Sequence, residues 1–253
     1  MAKQKLLLVD GSSLAFRAFF SILDLNRFKN SNGLHTNALY SFHRMFKSIL
    51  DSEKPTHVLV AWDAGKTTFR TEMYADYKGG RSKTPGEFIE QMPYFNVLLD
   101  AWGIPHYRLN QYEADDIIGT LARKGEEAGY EVVVLSGDKD LIQLADNNIT
   151  VKITTKGVTE LVEYTPEVIF EKYGLTPEQI IDMKGLMGDS SDNYPGVTKV
   201  GEKTAVKLLQ EFGSVEGIYE HVDEMKKSKL KENLINDKEL AFLSKKLARI
   251  NVE

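Results

Sequence analysis

The chain has 253 residues, 42% of them hydrophobic and 27% charged, enough for a sizeable core in one domain or a domain with an appendage, and it has no cysteine. Disulfides, thiolate zinc sites and cysteine nucleophiles are therefore excluded; with no apolar run near the ~18 residues of a membrane span and no signal-peptide stretch after Met1, a cytoplasmic protein is expected. The formal net charge of −5 disfavours a polyanionic partner on average, but nine carboxylates assigned below to one site outweigh it, leaving +4 on the rest of the chain.

Lys5-Leu6-Leu7-Leu8-Val9 is an apolar run of strand length that stops at Asp10-Gly11-Ser12-Ser13, where a turn and a helix begin. That helix carries Leu14, Phe16, Ala18 and Phe19, with Arg17 as its early cation, and a second helix is predicted over 37–50 from Leu39, Phe42, Met45, Phe46 and Ile49. A second strand, His57-Val58-Leu59-Val60-Ala61-Trp62, ends at Asp63-Ala64-Gly65. A third, Glu131-Val132-Val133-Val134-Leu135-Ser136, ends at Gly137-Asp138-Lys139-Asp140, before a short helix over 141–145. Strands of this kind alternating with helices imply a mostly parallel sheet covered on both faces, whose ligand site lies outside the carboxyl ends of the strands. Asp10, Asp63 and Asp138 then converge on one edge.

Between the second strand and the next helix, residues 66–91 interleave Arg70, Tyr77, Lys78, Arg81 and Lys83 with Gly79, Gly80, Thr84 and Pro85, a pattern suited to a mobile element that grips a phosphate backbone and stacks a base. A helix over 93–102 and a strand over 104–109 lead to Tyr112-Glu113-Ala114-Asp115-Asp116-Ile117-Ile118, three carboxylates in four residues at the mouth of an apolar-striped helix. Helix capping explains one or two of these acids, but like charges so close need cations. With five scattered histidines and no thiol, the cation is a metal held by oxygen, Mg²⁺ or Mn²⁺.

Residues 149–164 read as short strands around Lys156-Gly157, a hairpin at the sheet edge. From Thr165 the chain becomes helical: Thr165-Pro166-Glu167 and Thr176-Pro177-Glu178 each read as an N-cap, a proline in the first turn and an acid. The second of these helices ends in Gly188-Asp189-Ser190-Ser191-Asp192, two more acids three residues apart. A turn bounded by Gly196 and Gly201 then leads into another helix, a seat where a nucleic-acid backbone can approach free N–H groups. The basic tail, Lys226, Lys227, Lys229 and Lys231, reads as a solvated helical face.

These motifs, in this order, resemble the structure-specific 5′-nuclease (flap endonuclease) family, on the side of the N-terminal 5′–3′ exonuclease domains of bacterial DNA polymerase I. The carriers are Leu8-Val9-Asp10-Gly11-Ser12, Ala61-Trp62-Asp63, Phe69-Arg70, Tyr77-Lys78-Gly79-Gly80-Arg81, Glu113-Ala114-Asp115-Asp116, Gly137-Asp138-Lys139-Asp140, the run from Gly188 to Gly196, and Gly201-Glu202-Lys203-Thr204-Ala205. The resemblance implies an α/β fold: a PIN-like, mostly parallel sheet flanked by helices over 1–173, with a helical arch at about 66–91, and a helical region over 174–253 with a helix-hairpin-helix that binds duplex DNA and is associated with K⁺. It implies metal-dependent hydrolysis of DNA at 5′ flaps, nicks and 5′ ends by a monomer, with a DNA polymerase domain as a further partner.

The metal acids it implies are Asp10, Asp63, Glu113, Asp115 and Asp116 toward a first ion, and Asp138, Asp140, Asp189 and Asp192 toward a second. Lys78 and Arg81 are expected to stabilise phosphate charge and Tyr77 to stack a base. Arg17, Arg70, Lys83, Gly196, Val197, Gly201, Lys203 and Thr204 are expected to contact DNA. Thr198-Lys199 stands where the family has Pro-Gly, which is expected to alter the turn. Two rival readings share these features, a PIN-type ribonuclease and a non-catalytic module that binds branched DNA. No Gly-x-x-x-x-Gly-Lys-Ser/Thr run supports a P-loop.

Overall fold

Lys5–Asp10 (β1), His57–Trp62 (β2), His106–Arg108 (β3), Glu131–Ser136 (β4), Ile149–Thr154 (β5) and Leu161–Tyr164 (β6) form one sheet in the order β3-β2-β1-β4-β5-β6. The first five are parallel, and β6 runs antiparallel to β5, pairing Val151 with Tyr164 and Thr154 with Leu161. The computed structural model describes residues 2–155 and 160–253, so the Lys156-Gly157 turn of the expected edge hairpin lies outside the described residues.

Successive strand residues point to opposite faces, and the core divides accordingly. Leu7, Val9, Val133 and Leu135 meet Leu14, Phe19, Phe42, Phe46, Phe95 and Leu99 from the helices Gly11–Ser21, Asn37–Glu53 and Met92–Ala101. Leu8, Val132 and Val134 meet Ile117, Ile118 and Ala122 of the helix Ala114–Glu127, in a cluster that runs on without a break to Leu209 and Leu234 in the C-terminal helices. Each fully buried side chain of this size contributes roughly 1.5 to 3 kcal/mol.

The predicted elements recur with shifted ends. The expected strand over 104–109 shortens to β3, since it lies at the sheet edge and bonds to β2 alone. The expected helix over 141–145 is the 3₁₀ turn Lys139–Leu144, tightened because the Asp138 side chain accepts from Asp140 N–H at 2.8 Å. Thr165 and Thr176 cap their helices as expected, accepting from Val168 and Gln179 N–H at 3.2 and 3.3 Å. Residues 66–91 hold two short helices, Phe69–Met73 and Gly86–Ile89, with turns between them.

After the helix Pro177–Met187 the chain folds back through a turn that Gly188 and Gly196 close from both sides, at φ of 68° and 61°. A Cβ on Gly196 would stand 2.3 Å from the Gly188 nitrogen. The close approach that Gly196 permits is therefore within the protein, not to DNA as expected. Val197, also expected at DNA, is 2% exposed and packs in the core, its N–H donating to Leu186 O at 2.8 Å. Beyond it Lys199 takes the left-handed region at φ 62°, where glycine would be at ease, and the turn is pinned by Thr198 N–H on Asp237 at 2.8 Å. Replacing Gly196 by alanine forces backbone against backbone and should destabilise by about 2 to 3 kcal/mol in urea unfolding, with a matching fall in Tm.

Candidate metal centre

The strand order sets the site. β2, β1 and β4 are neighbours, so the acids at their carboxyl ends stand on adjacent strands, and the winding reverses between β1 and β4, where such sheets open a crevice. Asp10 ends β1 and is 3% exposed. It caps the helix Gly11–Ser21 through Ser13 N–H at 3.2 Å and accepts from Ser136 Oγ of β4 at 2.7 Å. Asp63, exposed, accepts from Ala114 N–H at 2.7 Å, which swings the start of the helix Ala114–Glu127 and its acids to the same edge. Capping and site-building are thus done by the same carboxylates.

Four cations reach into the cluster. Lys78, held at φ 57° with its N–H on Asp192 O at 2.7 Å, pairs with Glu113. Arg81 donates to Asp192 at 2.6 Å. Lys184 bridges Asp140 and Asp189 at 3.1 and 2.8 Å. Arg70, 2% exposed, makes a two-pronged pair with Asp116 at 2.8 Å on each arm, and also meets Glu113 at 2.5 Å and the carbonyls of Leu247 and Arg249 at 3.0 and 2.7 Å. Among the described residues no ion pair reaches Asp10, Asp63, Asp115 or Asp138.

The electrostatics follow from this division. Burial, then the charge of Asp63, pushes Asp10 up to about 7. Burial, then Asp138, pushes Asp140 up to about 7 as well. Asp115 is driven well above the carboxylate range by burial and by Asp10, Asp138 and Glu113, and Asp138 rises through burial and Asp192. Burial also opposes the charge on Glu113 and Asp189, but Lys78 and Arg70 hold the first below its ordinary range and Lys184 the second. Fully ionised, nine carboxylates against four cations would carry an excess of five negative charges at one edge, which is why part of the set holds its protons more tightly.

A divalent cation fits this donor set. All of the donors are oxygens, carboxylate atoms of Asp140, Asp189 and Asp192 lie within 4.8 Å of one another, and the buried hydroxyl of Tyr194, beside Asp189 in the turn, has no hydrogen-bond partner among the described residues.

Several expected roles need correcting. Asp116, expected as a cation ligand, has both oxygens taken by Arg70, by Glu113 N–H at 3.1 Å and by Asn251 N–H at 2.9 Å, and here it serves as the counter-ion of Arg70. Arg70 is too deeply buried to touch a DNA strand. Tyr77 is 6% exposed, stacked on Tyr194 with its hydroxyl 3.3 Å from Glu113, so its ring faces protein and not an open base site. Arg17 donates to the carbonyls of Thr155 and Gly137 at 3.0 and 3.4 Å. Lys83, Gly201 and Lys203 are exposed and Thr204 half-buried, the last three at the start of the helix Glu202–Phe212. Sequence reasoning missed Lys184, Ser136 and Tyr194. Lys184 carries no local signal, being one helix lysine among many, whereas Ser136 could have been found as the polar residue that ends an apolar strand.

Two consequences can be measured. Arg70→Met leaves Glu113 and Asp116 buried without their partner and should cost about 3 to 5 kcal/mol in urea unfolding, with Arg70→Lys recovering only part because an ammonium cannot fork to Asp116. With folded-state values of about 7 against 3.8, Asp10 and Asp140 bind protons more tightly folded than unfolded. Their contribution to stability therefore falls as pH rises from about 4 through about 7. In EDTA the Tm should be lower at about pH 8 than at about pH 6, and Mg²⁺ should raise it more at the higher pH.

Comparison with known proteins agrees with this geometry. Residues 5–174 match the family model described as 5′-3′ exonuclease, N-terminal resolvase-like domain, and residues 175–253 that of 5′-3′ exonuclease, C-terminal SAM fold. The chain is 63% identical over 254 residues to DNA polymerase I of Streptococcus pneumoniae, covering 100% of this chain and 29% of that protein. It is 60% identical over 248 residues to DNA polymerase I of Bacillus subtilis, covering 98% of this chain and 28% of that one. The chain thus spans under a third of the length of these curated relatives. Among solved structures, T5 5′-exonuclease with bound zinc superimposes with a TM-score of 0.79 at 27% identity, covering 98% of this chain and 90% of that one. The catalytic core of Rad2 in complex with DNA shares the fold, with a TM-score of 0.63 at 16% identity over 99% of this chain and 80% of that one. On these matches the chain belongs to the 5′–3′ exonuclease family.

Proposed function

We propose that this chain is a structure-specific 5′-nuclease that hydrolyses DNA phosphodiester bonds at 5′ flaps, nicks and 5′ ends in replication and repair. The observation that carries the reading is the set of four crowded carboxylates, Asp10, Asp63, Asp115 and Asp138, that no ion pair reaches among the described residues. Asp10, Asp63, Glu113 and Asp115 would hold one Mg²⁺ or Mn²⁺ ion, and Asp138, Asp140, Asp189 and Asp192 another. Bound there, such ions supply Lewis-acid polarisation of a phosphate and acidification of a water.

The chain's own residues do the rest. Lys78 and Arg81, paired now with Glu113 and Asp192, stand where a phosphate can take them over once those acids have a metal partner. Arg81 and Lys83 are exposed at the lip, so the segment 66–91 acts as the arch over a single strand. The exposed start of the helix Glu202–Phe212, with Gly201, Lys203 and Thr204, offers free N–H groups to duplex phosphates, as a helix-hairpin-helix would, with K⁺ shared at the turn. In this reading 1–173 is the catalytic unit and 174–253 grips duplex. A DNA polymerase region, as in the longer relatives, is the natural partner, and the cytoplasm, where DNA is available, the natural location.

The test is cleavage of a 5′-labelled flap duplex with Mg²⁺ and with EDTA. Metal-dependent release near the junction is expected, and Asp140→Ala should lower the rate on the order of a hundredfold or more while leaving binding intact. Cleavage of RNA in place of DNA would favour the PIN-type ribonuclease, and binding without cleavage the branched-DNA module.

A further inference from the structure

Ser13 and Arg17 stand one turn apart on the helix Gly11–Ser21 and so share a face. That face meets one residue, Gly137, in the link between β4 and the acids Asp138 and Asp140. Ser13 Oγ accepts from Gly137 N–H at 3.0 Å. Arg17 donates to Gly137 O at 3.4 Å with one arm and, with the other, to Thr155 O just past β5 at 3.0 Å. Both backbone polar groups of Gly137 are therefore held by a single helix, the one that Asp10 caps. The contact is close: a Cβ on Gly137 would stand 2.7 Å from Arg17 Nε and 2.9 Å from its Cδ, so the arginine stem lies where a side chain would be.

Two hydroxyls complete the link to Asp10. Ser136 Oγ accepts from Asp138 N–H at 2.9 Å and donates to Asp10 at 2.7 Å. With Asp10 ionised, as a cation ligand must be, the one proton of Ser136 is spent on that carboxylate, so in the 3.2 Å contact between the hydroxyls Ser13 is the donor. Arg17 makes no ion pair among the described residues; its guanidinium is spent on carbonyls, and what it supplies is geometry. Geometry is what Asp138 lacks otherwise, since no ion pair reaches it among the described residues, and the groups of a site have to be held to within about 0.5 Å.

We propose that Arg17 and Ser13 are positioning residues for the divalent-cation site: together they clamp Gly137 and so fix the Asp138 carboxylate relative to Asp10. The inference rests on the divalent-cation reading above, and it gives Arg17 a role inside the protein in place of the expected contact with DNA.

The experiment is a titration with Mn²⁺ in the absence of DNA, followed by electron paramagnetic resonance of the free ion, on wild type, Arg17→Met, Arg17→Lys, Ser13→Ala and the double variant of Ser13→Ala with Arg17→Met. Ser13→Ala keeps the backbone N–H that Asp10 accepts, so the helix cap survives in it. Arg17→Met and Ser13→Ala should each lose about tenfold in affinity at one class of site, the lower end of what loss of an outer partner costs, and Asp138→Asn should weaken the same class. The double variant should lose little more than either single one, because releasing one side of Gly137 already frees it. Arg17→Lys should fall short of wild type, since an ammonium cannot span two carbonyls as the guanidinium fork does. Equal Mn²⁺ affinity in wild type and the folded single variants overturns the proposal and leaves the cation reading standing. Full affinity in Arg17→Lys overturns it too, by assigning the effect to charge, as do losses that multiply in the double variant. Should thermal melts in EDTA show Arg17→Met unfolded, Ser13→Ala and Arg17→Lys decide alone. Failure of wild type to bind Mn²⁺ removes both readings at once.

Discussion

Repulsion among carboxylates gathered at one sheet edge is the constraint on which the rest of this structure depends. Burial first, and then the charge of neighbouring acids, raises the pKa of such groups until some are neutral, as for Asp10 and Asp140 at about 7. The fold limits the repulsion by bringing cations from remote stretches of chain: Arg70, Lys78 and Arg81 from one side and Lys184 from the other. It does not finish the task. The acids left over are those at the ends of β1, β2 and β4 together with Asp115, and their unmet charge is the chemical demand for a divalent ion.

Arg70 shows how this demand is built into the architecture. Its guanidinium joins the base of the 66–91 segment to the mouth of the helix Ala114–Glu127 and to the carbonyls of Leu247 and Arg249 near the end of the described chain. One buried cation therefore fixes three regions distant in sequence around Glu113 and Asp116, and a buried charge of this kind holds position because every donor is matched. The turn Gly188–Gly196 plays the corresponding part on the other side. It accepts Lys78 N–H through Asp192 O at 2.7 Å and returns a bond from Asn193 Nδ2 to Asp76 O at 2.8 Å. The two acid groups are thereby held by the same short stretch, Asp76 to Lys78.

Much of this could be read from the sequence. Apolar runs of strand length, each ending in an acid, determined a parallel sheet with Asp10, Asp63 and Asp138 at one edge, because parallel strands need crossovers and expose their carboxyl ends together. Thr-Pro-Glu at 165 and 176 determined where two helices begin, since the threonine oxygen meets free N–H groups whatever the surroundings. These are local rules, or rules of pattern, and they survive folding unchanged.

Which member of a charged motif faces solvent and which faces protein was decided only by the tertiary structure. Asp115 and Asp116 are neighbours in a helix and so point about 100° apart: one looks into the crevice, the other to Arg70. Nothing in the string Glu113-Ala114-Asp115-Asp116 says which is which until Arg70 arrives from far away. Tyr77, Arg70 and Val197 likewise read as groups for DNA because tyrosine, arginine and glycine-flanked turns are used that way, and their burial depends on partners such as Tyr194, Asp116 and Leu186 that only the fold brings near. The residue types and the order of the elements are properties of the chain; the pairing of charges across it is a property of packing in three dimensions.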